Sequence, residues 1–271
     1  MQQVRQPAVA GTFYAGQSAV LLRDLNALLA VAKAAGANQA DAPKVIVVPH
    51  AGYIYSGATA ALAYARLSSV REIIRRVVLL GPVHRVPVRG LALPDVDAFA
   101  TPLGNIEIDQ LAVGAITALP QVVVSRAAHA AEHSLEVQLP FLQAVLQDFK
   151  LLPLAVGDAT ALQVAKVLET LWGGPETLIV ISTDLSHFLP YRAAQTVDQQ
   201  TVQSILALDG RLTHQQACGA TPVNGLLLAA RQHHLQAQLL GLCNSGDSAG
   251  DKSRVVGYAA VSFTANPHHE H

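Results

Sequence analysis

Cysteine is nearly absent from this chain. Two cysteines in 271 residues cannot build a disulfide framework, so a reducing cytoplasm is the expected compartment. An excess of one charge is missing as well. The 18 basic residues stand against 19 acidic ones, which leaves no electrostatic pull toward nucleic acid or an anionic membrane. Long apolar runs are also lacking. Gly, Pro or a charge interrupts each one well short of the ~20 residues that a membrane span needs. The first residues, Met1 to Pro7, lack the apolar stretch of a signal peptide. No repeat, low-complexity segment or linker divides the chain. Hydrophobic residues make up 51% of it and charged residues only 14%, a composition able to bury a large core. The tail Pro267-His268-His269-Glu270-His271 is rich in histidine, but it is terminal and expected to fray. Residues 1–265 therefore read as a single domain and 266–271 as a flexible tail outside any site.

What the chain does have is a series of short, wholly apolar runs, each ending in a breaker and a side chain capable of chemistry. Val45-Ile46-Val47-Val48 has no polar face, so it reads as a strand buried on both sides, typical of a parallel sheet. Pro49 cannot donate to a ladder and ends it. His50 follows at the carboxyl end, where open α/β sheets place their ligands. Val77-Val78-Leu79-Leu80-Gly81-Pro82-Val83-His84 repeats the theme. With a helix from about Ala58 to Leu67 between them, the two strands form a βαβ unit whose right-handed crossover puts both carboxyl ends on one edge. His50 and His84 are expected to face a common crevice.

Leu151 to Val156 is a third buried run. A fourth, Thr177 to Ser182, delivers Thr183-Asp184-Leu185-Ser186-His187. There a carboxylate can orient an imidazole, and the imidazole can act as acid or base near neutral pH. Glu132-His133-Ser134-Leu135-Glu136 precedes a helix predicted over Ser134–Gln147 with a kink at Pro140. His133 reads as a pocket residue, and Glu136 either shares its face or sits as a carboxylate near the positive helix end. Ser18 is expected to cap a helix through about Ala34. Pro7 to Tyr14 reads as an arm across the body, and Arg254 to Phe263 as a closing strand with one wet face. Cys218, at a turn before a helix predicted over Val223–Ala230, is either a small buried hydrophobe or a thiolate presented at the helix end. Cys243, ahead of the polar loop Asn244–Asp251, is the rival ligand. The alternation of strands and helices predicts an α/β fold, a single domain with a central, mostly parallel or mixed β-sheet flanked by helices.

Taken in order, Pro7 to Tyr14, Pro49 to Gly57, Leu80 to His84, Glu132 to Phe141, Ser182 to His187 and Ala217-Cys218-Gly219 resemble the motifs of the Memo-like family. Its prokaryotic members are labelled AmmeMemoRadiSam system protein B. That family is similar to the catalytic subunits of extradiol-type non-haem iron dioxygenases, and the resemblance implies the class III extradiol dioxygenase fold. It implies His50, His84 and Cys218 as metal ligands, with His187, beside Asp184, as acid/base and His133 lining the crevice. The related dioxygenases use two histidines and a glutamate. A cysteine in the third position makes the set softer, so copper and zinc compete with iron. Two readings follow: a non-haem iron redox enzyme acting on a small oxidisable molecule, or a non-catalytic protein binding a metal, metabolite or peptide. The label also implies AMMECR-like and radical S-adenosylmethionine partner proteins. This chain has no cysteine triplet for an iron–sulfur cluster, so any radical chemistry belongs to a partner.

Overall fold

The computed structural model describes residues 2–36, 42–248 and 251–265. The histidine-rich tail and two residues of the polar loop after Asn244 lie outside them. In chain order the strands are β1 (Val4–Arg5), β2 (Val45–Val48), β3 (Arg76–Pro82), β4 (Leu91–Leu93), β5 (Ala98–Thr101) and β6 (Gly104–Glu107). They continue with β7 (Val122–Val124), β8 (Lys150–Val156), β9 (Thr177–Ser182), β10 (His187–Leu189), β11 (Leu235–Asn244) and β12 (Val255–Ala265). The main sheet runs β10-β12-β2-β9-β3-β8-β4-β7, with β11 also paired to β12; β1, β5 and β6 form a small second sheet.

The four apolar runs become the parallel centre, β2, β9, β3 and β8. Antiparallel β12 on one side and β4 on the other make the sheet mixed. Alternate side chains feed two cores. Ile46, Val48, Val77, Leu79 and Val180 pack beneath the helices Ser18–Ala34, Tyr53–Tyr64 and Leu139–Val145. Val45, Val47, Val78, Leu80, Ile179 and Ile181 pack beneath Ala161–Leu171 and Ala220–Gln232. A strand with helices on both faces has no wet side, which is why these runs carry no polar alternation. Among the described residues no helix is long and apolar enough to cross a membrane.

Several local expectations are corrected. β9 lies between β2 and β3, so the first two runs are not neighbours, although their carboxyl ends do share one edge. The helix after His50 begins at Tyr53, ahead of the expected start near Ala58, and its N-cap is Gly52. Pro140 makes no kink. A 3-10 turn, Glu136–Gln138, leads into the helix Leu139–Val145, with Pro140 in its first turn, where its missing N–H costs nothing. Ser18 is already helical; the cap is Gln17, without a side-chain hydrogen bond. β12 is buried on both faces along most of its length, because Ala260 faces the core that includes the helix Tyr53–Tyr64 while Val261 and Phe263 face the core that includes Ala220–Gln232.

Candidate metal centre

The carboxyl edge of the parallel strands gathers the polar ends of separate chain segments. His50 follows β2, His84 follows β3, and His133 sits in the turn before the Glu136–Gln138 segment. One ligating atom from each of these three histidines lies within 4.8 Å of the others. Their ring centroids are 5.2, 5.5 and 4.7 Å apart. Cys218, just ahead of the helix Ala220–Gln232, brings its Sγ to 3.4 Å from His50 Nε2. Asp184 Oδ2 lies 3.9 Å from the same nitrogen. Phe13, from the N-terminal arm, closes over His133 edge-on at 5.0 Å.

The orientation of the rings is set by groups behind them. His50 Nδ1 rests 2.9 Å from Ser182 Oγ, and the His50 N–H donates to Asp184 Oδ1 at 2.8 Å. His84 Nδ1 donates to Glu132 Oε1 at 2.9 Å, while the His84 N–H donates to Glu132 Oε2. Glu132 Oε1 also accepts the N–H groups of His133 and Ser134, each at 2.9 Å. Burial raises the proton affinity of this carboxyl, yet the His84 side chain and the Ser134 and His84 N–H groups outweigh it and lower the pKa to about 2. It is therefore a carboxylate throughout the physiological range. Burial, with neighbouring imidazoles adding to it, lowers His50 to about 3 and His133 to about 4. Both rings are neutral at pH 7, the form that ligates a metal. His133 Nδ1 is buried without a hydrogen-bond partner, and such an atom is costly unless something satisfies it.

Burial bears on which of its two readings Cys218 follows. Burial, reinforced by the Asp184 carboxyl, pushes its thiol up to about 12. The helix start does not offset this, so without a cation nearby the sulfur keeps its proton. A bound metal reverses that, since a coordinating thiol is deprotonated outright. Asp184 is itself raised, chiefly by burial. Its carboxylate bonds the His50 main chain, whereas His187 Nδ1 lies 2.9 Å from the Leu185 carbonyl. A carbonyl only accepts, so Nδ1 carries a proton there. His187 lines an open cleft of about 690 Å³ together with His84, Cys218, Gln200, His214 and Gln216. It is outside the group of three close histidines.

Two other residues are placed elsewhere. Cys243, the rival ligand, is on β11, with its sulfur 3.0 Å from Thr59 Oγ1. Glu136 neither lines the cleft nor caps a helix; it accepts from Arg5, Ala8 N, Val9 N and Tyr14 Oη and so clasps the N-terminal arm. Sequence reasoning passed over Glu132, Ser182 and Gln138 as site residues. Their signal was present: each is a polar residue inside or beside an apolar run, and a buried polar group needs a partner. The donor set as a whole could hold a metal ion: imidazoles held from behind, one ring nitrogen without a hydrogen bond, and a sulfur alongside.

Residues 5–262 match the family described as Memo-like protein. The chain belongs to the Memo family. A MEMO1 family protein of Aquifex aeolicus is 37% identical to this Memo-family chain over 274 residues, covering 96% of it and 99% of the relative. One from Methanosarcina barkeri is 37% identical over 276 residues, covering 95% and 99%. Among solved structures, an uncharacterised protein of Escherichia coli K12 is similar, with a TM-score of 0.51 and 14% identity, covering 80% of this chain and 98% of that one. At that identity the likeness speaks to the α/β fold alone.

Proposed function

We propose that this Memo-family chain is a mononuclear metal protein of the non-haem iron type, whose ion is held by His50, His84 and Cys218, with His133 beside them. The observation that carries this reading is the convergence of ligand atoms from separate segments, three histidines within 4.8 Å and a sulfur 3.4 Å from one of them. Iron bound there would supply a Lewis-acid and one-electron redox centre. The chain's own residues do the rest. Glu132 and Ser182 hold two imidazoles in place, Phe13 covers one side, and the cleft beside His84 and Cys218 admits a small molecule. His187, its Nδ1–H held on the Leu185 carbonyl, takes a proton from that molecule or returns one. The sulfur donor makes copper and zinc competitors of iron.

Anaerobic purification followed by metal analysis tests the site. Wild type and Cys243→Ser are expected to carry equal iron, and Cys218→Ala to retain at most about a tenth of it at limiting metal, the effect of losing one of few donors. Equal metal in Cys218→Ala would remove the sulfur from the site. Oxygen uptake by the iron-loaded protein with a panel of catechols tests the redox reading. A uniformly silent panel would leave a protein that binds its ligand without turnover.

A further inference from the structure

Behind His50 lies a chain of buried polar groups whose hydrogen-bond directions can be worked out one by one. Gln138 and Ser182 are completely buried, and Tyr64 is too. One end of the Gln138 amide lies 2.8 Å from the Pro49 carbonyl and 2.8 Å from Ser182 Oγ; the other lies 2.8 Å from Tyr64 Oη. A carbonyl can only accept, so the end facing Pro49 must be the NH2 group. The amide oxygen then faces Tyr64, whose hydroxyl must donate to it. Ser182 Oγ is 2.6 Å from the Ser134 carbonyl, which again can only accept, so the one serine proton goes there. Ser182 Oγ already accepts from Gln138, and its only remaining role toward His50 Nδ1, 2.9 Å away, is that of a second acceptor. His50 Nδ1 must carry the ring proton. Its Nε2, the atom facing Cys218 Sγ, is left bare.

We propose that Tyr64, Gln138 and Ser182 form a positioning relay that fixes His50 in the Nδ1–H tautomer and so keeps Nε2 free as a ligand before any metal arrives. The relay rests in part on the metal reading above, because a bare Nε2 has a use only where something binds it. Its first link is independent of that reading. None of the three residues touches the cleft, so they position a ligand and do not themselves react. The arrangement also explains polar side chains in a core that would otherwise be apolar. Gln138 stands among Val137, Leu139, Phe141 and Leu142, all buried, and every one of its donors and acceptors has a partner that its geometry requires. A hydrogen-bond partner behind a metal-binding imidazole fixes ring orientation and tautomer, and its loss typically weakens metal binding by about 10- to 100-fold.

The test uses the metal-free, 15N-labelled chain and long-range 1H–15N correlation of the imidazoles, which reads each tautomer directly. In wild type His50 is expected to show the Nδ1–H pattern. Ser182→Ala should release it to a mixture or to the Nε2–H form and weaken Fe(II) binding, titrated anaerobically, by 10- to 100-fold. Ser182→Thr, which keeps the hydroxyl, should restore both. Tyr64→Phe removes only a hydroxyl at the far end of the relay and provides a milder variant should Ser182→Ala not fold; a partial shift in tautomer and a several-fold loss of affinity are expected. An Nε2–H His50 in wild type, or an unchanged tautomer in both Ser182→Ala and Tyr64→Phe, would overturn the relay. An Nδ1–H His50 in a wild type that binds no Fe(II) would support the relay and overturn the metal reading instead.

Discussion

Glu132 and Glu136 stand four residues apart, are both fully buried, and each accept hydrogen bonds from four donors, yet they serve different parts of the molecule. The donors on Glu136 are Arg5 Nη1, the Ala8 and Val9 N–H groups and the Tyr14 hydroxyl. All come from β1 or the arm that follows it, and Arg5 is further saturated by the carbonyls of His129 and Glu132. That network is closed, and its business is to pin the arm to the body. Glu132 accepts from His84 twice and from the N–H groups of His133 and Ser134. Here the far side of one donor is an imidazole with its other nitrogen open to the crevice, and the unpartnered His133 Nδ1 sits 3.4 Å from the same carboxylate. Both carboxylates are equally well satisfied. What separates a structural clasp from a site is whether the partners still have unspent hydrogen-bonding or ligating capacity.

If that distinction is sound, the two residues fail in different ways. Glu136→Ala is expected to cause the larger loss of stability, about 3–5 kcal/mol, because it leaves the Arg5 guanidinium buried without its counter-charge. A urea denaturation series would show the midpoint falling with the slope preserved. A loss within 0.5 kcal/mol would mean that the arm is held by something else.

Acid probes the same region by titration. His129, buried beside Arg5, is lowered to about 4, chiefly by burial, with its Nε2 held 2.8 Å from the Ala92 carbonyl. The ordinary value near 6.5 applies in the unfolded chain, which therefore binds the proton first as pH falls. Stability is intact above about pH 6.5 and declines through the window down to about 4, by roughly 3 kcal/mol in full for this one group. His50 and His133 are shifted in the same direction. Urea midpoints of the metal-free chain at pH 7 and pH 5 measure the slope, and His129→Phe should flatten it. An equal slope in that variant would remove His129 from the account.

Much of the fold was legible in the sequence because burial on both faces writes itself as uninterrupted apolar runs. β2, β3, β8 and β9 all fell where such runs were read, and with them the shared edge that carries His50 and His84. The resemblance to the Memo family was legible for the same reason: its motifs are the ends of those strands. The partners behind the ligands were not. Nothing local in Ser182 or Gln138 says that they face each other across 44 residues of chain, since a hydrogen bond's direction depends on what tertiary packing brings up to it. The helix starts at Tyr53 and Ala220 escaped because no polar cap marks them: their N-caps are glycines, without side-chain hydrogen bonds. Cys218 shows a further limit. Its place before a helix was readable, but whether it is a thiol or thiolate depends on burial and on Asp184, which only the folded chain determines.

The finest test of the comparison is Glu132→Gln, which keeps the shape and removes the charge. A glutamine offers one carbonyl oxygen where Glu132 uses both, and its NH2 end faces donors that it cannot accept from. The His84 ring then loses either its Nδ1 acceptor or the main-chain anchor beneath it. Fe(II) affinity should fall by about 10- to 100-fold, which corresponds to roughly 1.4–2.7 kcal/mol, measured by anaerobic titration at pH 7. Stability of the metal-free chain should suffer less than in Glu136→Ala, because none of the donors freed here is a buried guanidinium. The ordering of the two variants carries the weight. Should Glu132→Gln unfold the chain as readily as Glu136→Ala while metal affinity in the folded fraction stays unchanged, Glu132 would be a second clasp, and His84 would be held for packing alone.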